Sequence, residues 1–402
     1  MLPIPKSLTN AADGRANQLA LDLIQTGWKR LEAGDIPAAM SRFQRAAKVT
    51  PGSVAPQIAL AHGALRFGLL ESALAFAQGV LERDECHSDA HTLSARALFG
   101  LGREAAATEH LNSALEASPG DGQALYLMAH HGIRGDVDFL SRLIADRSPD
   151  EPEARMLGMA LANAQALAGS MGLALETAAI AHRSDHLEVS TIADELRMQS
   201  ELLRVLTSLP WGQGGGCRIG QPIFVVGLPH SGAMLAERAL TGGGNIVPAG
   251  PVRALIHLVS KLPRCVGAPY PRAAAVLDPH TATVLANRYR EHAGVGSAVR
   301  WVDRCPDGAR YLPLALRLFP MAKVLHVTRD AQSAGQAAAL SLFDGDDAPY
   351  ARDPDSFTVQ HAFEKRLVDL VEASLPVEVH RMRYEDLVQD PGGAIAEFRD
   401  VG

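Results

Sequence analysis

Residues 222–235 read PIFVVGLPHSGAML, an apolar run followed by a glycine-containing turn and the start of a second apolar pattern. The run favours a buried strand, and the residues after Gly232 favour a helix. Gly227 and Gly232 have the GxxxxG spacing of a phosphate-binding loop placed between a strand and a helix. Main-chain N–H groups at such a helix start attract an anion, and the helix dipole adds partial positive charge. The stretch therefore predicts an α/β domain with an anion site after its first strand.

The residues after Gly232 distinguish this loop from the loops of ATP- and GTP-hydrolysing enzymes. Those loops continue with Lys and then Ser or Thr, whereas this chain has Ala233 and Met234. No lysine would meet the phosphates and no hydroxyl would hold Mg²⁺. Nucleotide hydrolysis of that kind is therefore not expected, and main-chain groups are left as the principal donors to an anion.

The first half of the chain repeats itself. Gly34, Gly68 and Gly102 stand 34 residues apart, the period of a tetratricopeptide repeat. Three sets of residues keep the same phase: Ala39, Ala73 and Ala107; Phe43, Ala77 and Leu111; and Ala46, Val80 and Ala114. Small residues allow paired helices to approach closely, and a glycine serves the turn within each pair. Residues 1–187 are therefore predicted to form an all-α tetratricopeptide-repeat solenoid, whose groove would bind a protein or peptide.

The helical pattern ends in the stretch PWGQGGGCRIGQP. Residues 188–221 are therefore predicted to be a connecting helix, from about Glu188 to Leu209, followed by a glycine-rich linker. Beyond them, the strand-like runs IFVVG, KVLHVTRD and VEVHRMRYEDL alternate with helical segments. This alternation favours a parallel sheet covered by helices, so 222–402 is predicted to be a P-loop-like α/β domain.

Composition limits the function classes. A length of 402 residues favours more than one domain, and 47% hydrophobic with 21% charged residues indicates a packed protein. A net charge of −7 without a basic segment argues against general binding to nucleic acid or anionic membranes. The N-terminus does not resemble a signal peptide, and no apolar run is long enough for a membrane helix. We therefore expect a cytoplasmic protein.

Neither the cysteines nor a histidine pair indicates a metal site. The four cysteines, Cys86, Cys217, Cys265 and Cys305, form no CxxC motif and are expected to be buried free thiols in a reducing cytoplasm. His182 and His186 are four residues apart on a predicted helix, but no third ligand is evident, so a solvated helix face is favoured. No metal is predicted.

The order of these motifs resembles that of bacterial sulfotransferases with N-terminal tetratricopeptide repeats, relatives of the tyrosylprotein sulfotransferases. The stretch PIFVVGLPHSGAMLAERAL is similar to the phosphate loop of that family, approximately PIFVVGMPRSGTTLLEQIL. The similarity continues through NIVPAGP, WVDRCPDGARYLPLALRLFPMAKVLHVTRD and RYEDLVQDP, and with the repeats it covers nearly the whole chain. The resemblance implies sulfuryl transfer from PAPS (3′-phosphoadenosine-5′-phosphosulfate) to a hydroxyl, with PAP (adenosine 3′,5′-bisphosphate) as product and no metal.

The resemblance also assigns candidate residues. The donor-binding positions are Gly227, Pro229, His230, Ser231, Gly232, Ala233, Met234 and Arg329. His230 replaces the arginine of the family's loop, and Ala233 and Met234 replace its two threonines. Ala337 replaces the serine expected eight positions after Arg329, so several side-chain contacts to the donor are lost.

The catalytic positions are altered as well. Arg304 stands where the family has a lysine, and with His230 it is a weak candidate for the catalytic cations. Pro251 stands at the place of the carboxylate that accepts the proton of the acceptor hydroxyl. The sequence ends at Gly402, soon after RYEDLV, so the family's C-terminal end is expected to be lacking.

Two functions remain open. The first is a scaffold or pseudoenzyme in which sulfuryl transfer is weak or lost. The second is an active PAPS-dependent sulfotransferase acting on a protein, a glycan or a small-molecule hydroxyl. At the residue level, Arg329 either holds an anion or pairs with Asp330 or Glu385, and His230 either contacts phosphate or is a loop histidine without that role.

Overall fold

The computed structural model describes residues 14–32, 36–66, 68–145, 147, 151–183, 190–208, 211, 215–250, 254–304, 308–343 and 348–396. The chain divides into two compact units: a helical unit, Met1–His186 with Leu340–Gly345, and a sheet unit, Leu187–Ala339 with Asp346–Gly402. The boundary predicted between 187 and 188 lies outside the described residues and stays a prediction. Among the described residues, no helix combines the length and apolar character that crossing a membrane requires.

The described part of the helical unit is built from helices in antiparallel succession. They are α1 (Gly14–Glu32), α2 (Ile36–Val49), α3 (Ala55–Arg66), α4 (Leu70–Leu81), α5 (Ser88–Gly100), α6 (Glu104–Ala117), α7 (Gly122–His130), α8 (Val137–Ala145), α9 (Pro152–Leu167) and α10 (Met171–Arg183). The first and second helices of a repeat pack against each other, as α3 does on α4 and α5 on α6. Gly68 and Gly102 lie in the turns that join the two helices of each pair, as the period predicts, while Gly34 lies outside the described residues.

The positions that keep the 34-residue phase form the core of the helical unit. All nine predicted positions, Ala39, Ala73, Ala107, Phe43, Ala77, Leu111, Ala46, Val80 and Ala114, are 0% exposed. Ala174 and Ala178, about two periods after Ala107 and Leu111, are 0% exposed as well and place α10 in the same phase. The prediction of an all-α unit with tetratricopeptide-like helix pairs is confirmed.

The sheet unit carries a five-stranded parallel sheet with the order β2-β3-β1-β4-β5. Its strands are β1 (Gln221–Val226), β2 (Val247–Gly250), β3 (Arg300–Asp303), β4 (Lys323–Thr328) and β5 (Val379–Arg383). Its helices are α11 (Ser190–Ser208), α12 (Ala233–Thr241), α13 (Ala254–Val266), α14 (Arg272–Val276), α15 (Pro279–His292), α16 (Leu312–Leu318), α17 (Ala331–Ala339), α18 (Pro354–Ser374), α19 (Tyr384–Gln389) and α20 (Pro391–Ala394). The 3-10 turns are Gly308–Tyr311 and Pro349–Arg352. The predicted parallel α/β domain is confirmed.

The central strand β1 is buried on both faces, as its unbroken apolar run predicts. Phe224 and Val226 join one core cluster, which includes Trp301 and side chains of α13, α15 and α18. Ile223 and Val225 point to the other face and pack with side chains of α12. This alternation follows the two-residue period of a strand and fixes the direction in which β1 ends.

Two of the expectations for single residues are wrong. Cys86 and Cys265 are free but exposed, because they lie in or beside surface turns and not in the core. His182 is 6% exposed and therefore does not belong to a solvated helix face, while His186 lies outside the described residues. One face of α10 is buried in the helical unit. His182 lies on that face, together with Ala178 and Ala181.

Candidate anion site

The loop after β1 has the main-chain shape of an anion-binding turn. A Cβ atom on Gly227 would come within 2.5 Å of the Val327 carbonyl and would also strike the Ser231 hydroxyl, so only glycine fits. Gly232 caps α12 with a φ of 101°, and a Cβ there would lie 2.6 Å from the ring of Tyr384. His230 adopts a φ of 63°, a left-handed conformation that is uncommon for a residue with a side chain. The main-chain conformation of the loop is therefore constrained by the residues packed against its two glycines.

The end of the loop presents polar groups suited to an anion. The first N–H groups of α12, which begins at Ala233, have no partners within the helix and carry the positive end of its dipole. The Ser231 side chain is only 4% exposed, and its hydroxyl makes no hydrogen bond within the part of the chain that the structure describes. A buried hydroxyl without a partner costs free energy, which a bound anion would recover.

Arg329 is brought to this loop from the end of the neighbouring strand β4. Its Nη1 donates to the His230 carbonyl at 3.4 Å, and its guanidinium lies 4.5 Å from the centre of the Tyr384 ring. Asp330 accepts hydrogen bonds from the Ser333 N–H and hydroxyl at 2.8 Å, and the Arg329 charge also contributes to its lowered pKa. Glu385 lies 3.5 Å from Arg383. The structure therefore places Arg329 beside the loop, and its role in holding an anion stays a prediction.

Arg304 follows β3, on the other side of β1, and is held by a carboxylate. Its Nε donates to Oε2 of Glu237 at 2.8 Å, and the Glu237 side chain is only 9% exposed. Glu237 lies one turn into α12, the helix whose first residues border the candidate anion site. A half-buried ion pair of this geometry offsets most of the charge that Arg304 would offer to a ligand.

A second carboxylate is buried beneath the ion pair. Asp303 is 0% exposed, and its Oδ2 accepts a hydrogen bond from the Tyr289 hydroxyl. The pKa of Asp303 is raised to about 7, chiefly by burial and in smaller part by the charge of Glu237, while the Tyr289 hydrogen bond and the Arg304 charge act against the shift. The end of β3 therefore holds two acidic side chains, Asp303 and Glu237, near one guanidinium, that of Arg304. Such an arrangement is a poor environment for a bound anion.

The remaining candidates supply little polar chemistry. Met234 is 43% exposed and Ala233 is half-buried, so two apolar side chains stand where the resemblance implies hydroxyls. Pro251 lies outside the described residues. His257, a possible alternative proton acceptor, lies on α13 with its ring centre 4.7 Å from that of His292.

Three residues of the site were not identified from the sequence: Glu237, Asp303 and Tyr384. Glu237 follows Gly232 by five residues, a distance that places it one turn into the helix, but its partner is 67 residues further on. Such a pairing has no local signal. Asp303 ends a strand of only four residues, so no sequence pattern indicated that it would be buried.

Comparison with known proteins agrees with the sheet unit described above. Residues 222–399 match the family model described as "Sulfotransferase family". A curated relative, an uncharacterized protein of Aquifex aeolicus (strain VF5), is 25% identical over 196 residues. That alignment covers 46% of this chain and 26% of the relative, so the chain spans about a quarter of that protein's length.

Two solved structures are similar to the chain. One is a thermophilic TPR protein of Thermus thermophilus, 20% identical, which covers 46% of this chain and 99% of that one with a TM-score of 0.35. The other is sulfotransferase STF1 of Mycobacterium tuberculosis H37Rv, 15% identical, which covers 65% of this chain and 86% of that one with a TM-score of 0.30. The part of the chain that forms the sheet unit therefore matches the sulfotransferase family model. The part before it has tetratricopeptide-like helix pairs.

Proposed function

We propose that the chain is a cytoplasmic protein-binding scaffold whose sulfotransferase domain retains a weak site for PAPS or PAP but transfers sulfuryl groups very slowly or not at all. The observation that carries this proposal is the Arg304–Glu237 ion pair. Transfer of a sulfuryl group places negative charge on the leaving phosphate, and fixed positive charge at that position lowers the barrier. A guanidinium already paired with a buried carboxylate gives little of that stabilisation.

The donor keeps part of its binding site. Among the main-chain N–H groups of 230–234, that of Ser231 donates to the Leu228 carbonyl at 3.1 Å, so the others are the proposed donors to the ligand. The Arg329 guanidinium lies at the loop, and Ser231 adds a buried hydroxyl. His230 supplies an imidazole in place of a permanent charge, and each charge-assisted hydrogen bond that is lost weakens binding by about 1.5–3 kcal/mol. We expect PAP to bind more weakly than about 1 μM, equivalent to roughly 8 kcal/mol.

Acceptor activation is also missing. With Pro251 at the place of the proton-accepting carboxylate, the reaction loses a contribution of roughly 10²–10⁴ in rate. The loss is independent of donor binding, so correcting either defect alone restores little turnover.

An active PAPS-dependent sulfotransferase is the second candidate. It is favoured by the position of Arg329 beside the loop and by the buried hydroxyl of Ser231, which has no hydrogen-bond partner among the described residues. Both features suit a phosphate. In that case Arg304 would leave Glu237 during turnover, and a histidine such as His257 would accept the proton.

Two measurements distinguish the candidates. Isothermal titration with PAP gives the affinity of the donor site. Transfer of radiolabelled sulfate from PAPS to tyrosine peptides, phenols and glycans gives the activity of the chain and of a variant that carries His230→Arg, Ala233→Thr, Met234→Thr and Pro251→Glu. We expect weak titration and no turnover by the natural chain, with partial recovery in the variant. Robust turnover by the natural chain on any acceptor contradicts the scaffold proposal.

The helical unit would supply the scaffold function, since stacked helix pairs of this kind present extended surfaces to other proteins. A pull-down that compares the full chain with one lacking the repeats tests this part. Partners that remain bound after the deletion would contradict it.

A further inference from the structure

A short stretch from the second half of the sequence belongs to the helical unit. Leu340–Gly345 follows α17 and is part of the same compact unit as α1–α10. Leu340 is 7% exposed and joins the apolar core of that unit, with Leu342 packed against it. Ser341 between them is 5% exposed. Leu340 and Ser341 are therefore buried, and Leu342 half-buried, against helices that precede them by more than 150 residues.

Side chains of α7 and α9 hold the main chain of this stretch. The Asn163 amide donates through Nδ2 to the Leu340 carbonyl at 2.8 Å, and the Tyr126 hydroxyl accepts from the Leu342 N–H at 2.8 Å. The His130 ring lies on the same helix as Tyr126, and the Leu340 main chain and the Asn163 side chain both raise its pKa against the effect of burial. The stretch is thus bound through its backbone at both ends and through one apolar side chain.

The orientation of these three side chains is fixed within the helical unit. Asn163 also donates to the Met159 carbonyl at 2.8 Å, and the Tyr126 and His130 rings stack with centres 5.1 Å apart. Asn163 and Tyr126 are 6% and 7% exposed. Burial lowers the pKa of His130, which keeps the ring neutral. Buried polar groups are costly without partners, so an empty site would be unfavourable.

These features are those of a peptide-recognition site. Linear peptides are recognised by hydrogen bonds to their extended main chain and by pockets for alternate side chains. We propose that Tyr126, His130 and Asn163 form a peptide clamp, and that the chain's own residues 340–342, Leu-Ser-Leu, occupy it in cis. A tethered ligand acts at an effective concentration in the millimolar range, so a free peptide of this type is excluded until the cis segment is displaced.

The test uses the full chain and a fluorescently labelled peptide, AAALSLFDGD, which corresponds to residues 337–346. Two variants open the clamp: Leu342→Pro removes the N–H that Tyr126 accepts, and Leu340→Asp places a charge in the apolar pocket. Fluorescence anisotropy should show peptide binding at least tenfold tighter to the opened chains than to the natural chain. Equal binding to natural and opened chains overturns the proposal.

A second substitution in the opened chain tests the clamp itself. Asn163→Ala should weaken peptide binding at least tenfold, whereas Asn112→Ala, an exposed asparagine on α6, should leave it unchanged. A peptide with aspartate at the position of Leu340 should not bind. Binding that survives Asn163→Ala or the altered peptide overturns the proposal.

Hydrogen exchange tests the same site without opening it. In the otherwise natural chain, Tyr126→Phe should speed exchange of the Leu342 amide at least tenfold while circular dichroism stays unchanged. An amide equally protected with and without the hydroxyl overturns the role of Tyr126, whatever the folding of the opened variants.

Discussion

The helical unit and the sheet unit place their essential residues differently. In the helical unit, the positions that matter recur every 34 residues and are apolar and 0% exposed, so any one of them repeats the role of the others. In the sheet unit, the candidate anion site occurs once, at Gly227 and Gly232 of one loop and Arg329 after β4, with the paired Arg304 after β3. The repeated core requires only that apolar side chains of suitable volume fill each position, so it tolerates apolar exchange but not truncation, whereas a single site loses its chemistry with one or two side chains.

The largest expected effect is a loss of folding stability, and it follows from a substitution in the repeated core of the helical unit. Phe43→Ala removes a ring that is 0% exposed and leaves a cavity, and we expect a loss of about 3–5 kcal/mol in the free energy of unfolding. Urea unfolding measures it. Leu173→Ala, which truncates a side chain that is 52% exposed on α10, is the matched control and should change stability by less than about 0.5 kcal/mol. Equal losses in both variants would show that the phased positions do not carry the core.

The buried acid at the end of β3 predicts a pH-dependent effect in the sheet unit. The pKa of Asp303 is about 7 in the folded chain, above its unfolded value of about 3.9, so the folded chain binds more protons between those values. Stability relative to Asp303→Asn should therefore be greatest at low pH and fall as pH rises toward 7, by up to about 1.4 kcal/mol per pH unit. Unfolding curves for both chains at pH 5, 6, 7 and 8 provide the measurement, and curves that stay parallel contradict it.

We expect Arg329 to contribute more to the affinity for PAP than any of the phased core positions of the helical unit. Arg329→Gln removes the guanidinium that lies against the His230 carbonyl, and PAP binding should weaken by about ten- to a hundredfold, equivalent to about 1.5–3 kcal/mol. Arg383→Gln is the control, since that side chain is 68% exposed and lies beside Glu385. Isothermal titration that finds the same loss in both variants would indicate a general charge effect and not a site.

The smallest expected effect is an increase in the affinity for PAP. Glu237→Gln removes the carboxylate that neutralises Arg304 and should tighten PAP binding by about tenfold, the worth of one modest charge-assisted contact. Glu201→Gln serves as control, because Glu201 forms an exposed ion pair with Arg204 on α11. Unchanged affinity in Glu237→Gln would mean that Arg304 does not face the donor.

Sequence reasoning predicted the helical unit well because its signals are local and repeated. A glycine, an alanine and an apolar residue at fixed offsets specify each helix pair, and the four-residue spacing of the buried positions recurs in α10 at Ala174 and Ala178. The three longer strands were also predicted, since β1 contains a continuous apolar run and β4 and β5 are short strand-like segments that follow helical ones. The strands β2 and β3 were not, because each has only four residues and an isolated run of that length has no periodicity.

The site was predicted only in part. The loop glycines and Arg329 follow from spacing and from the family resemblance. The partner of Arg304 does not, because Glu237 reaches it only after β1 and β3 have paired and α12 has packed. The stretch 340–342 gave no sequence signal for the helical unit, since no local pattern shows that an apolar loop packs against helices 177 residues earlier.

The separation of Asn163 from Leu340 also has a consequence during synthesis on the ribosome. The 177 residues between them take ~10–35 s to translate at about 5–20 residues per second. During that interval α7 and α9 have emerged, while the segment that satisfies Asn163 and Tyr126 has not yet been made. The nascent chain therefore passes through a period in which the proposed peptide clamp is unoccupied. A chaperone or a separate peptide ligand has its best access to the clamp at that time.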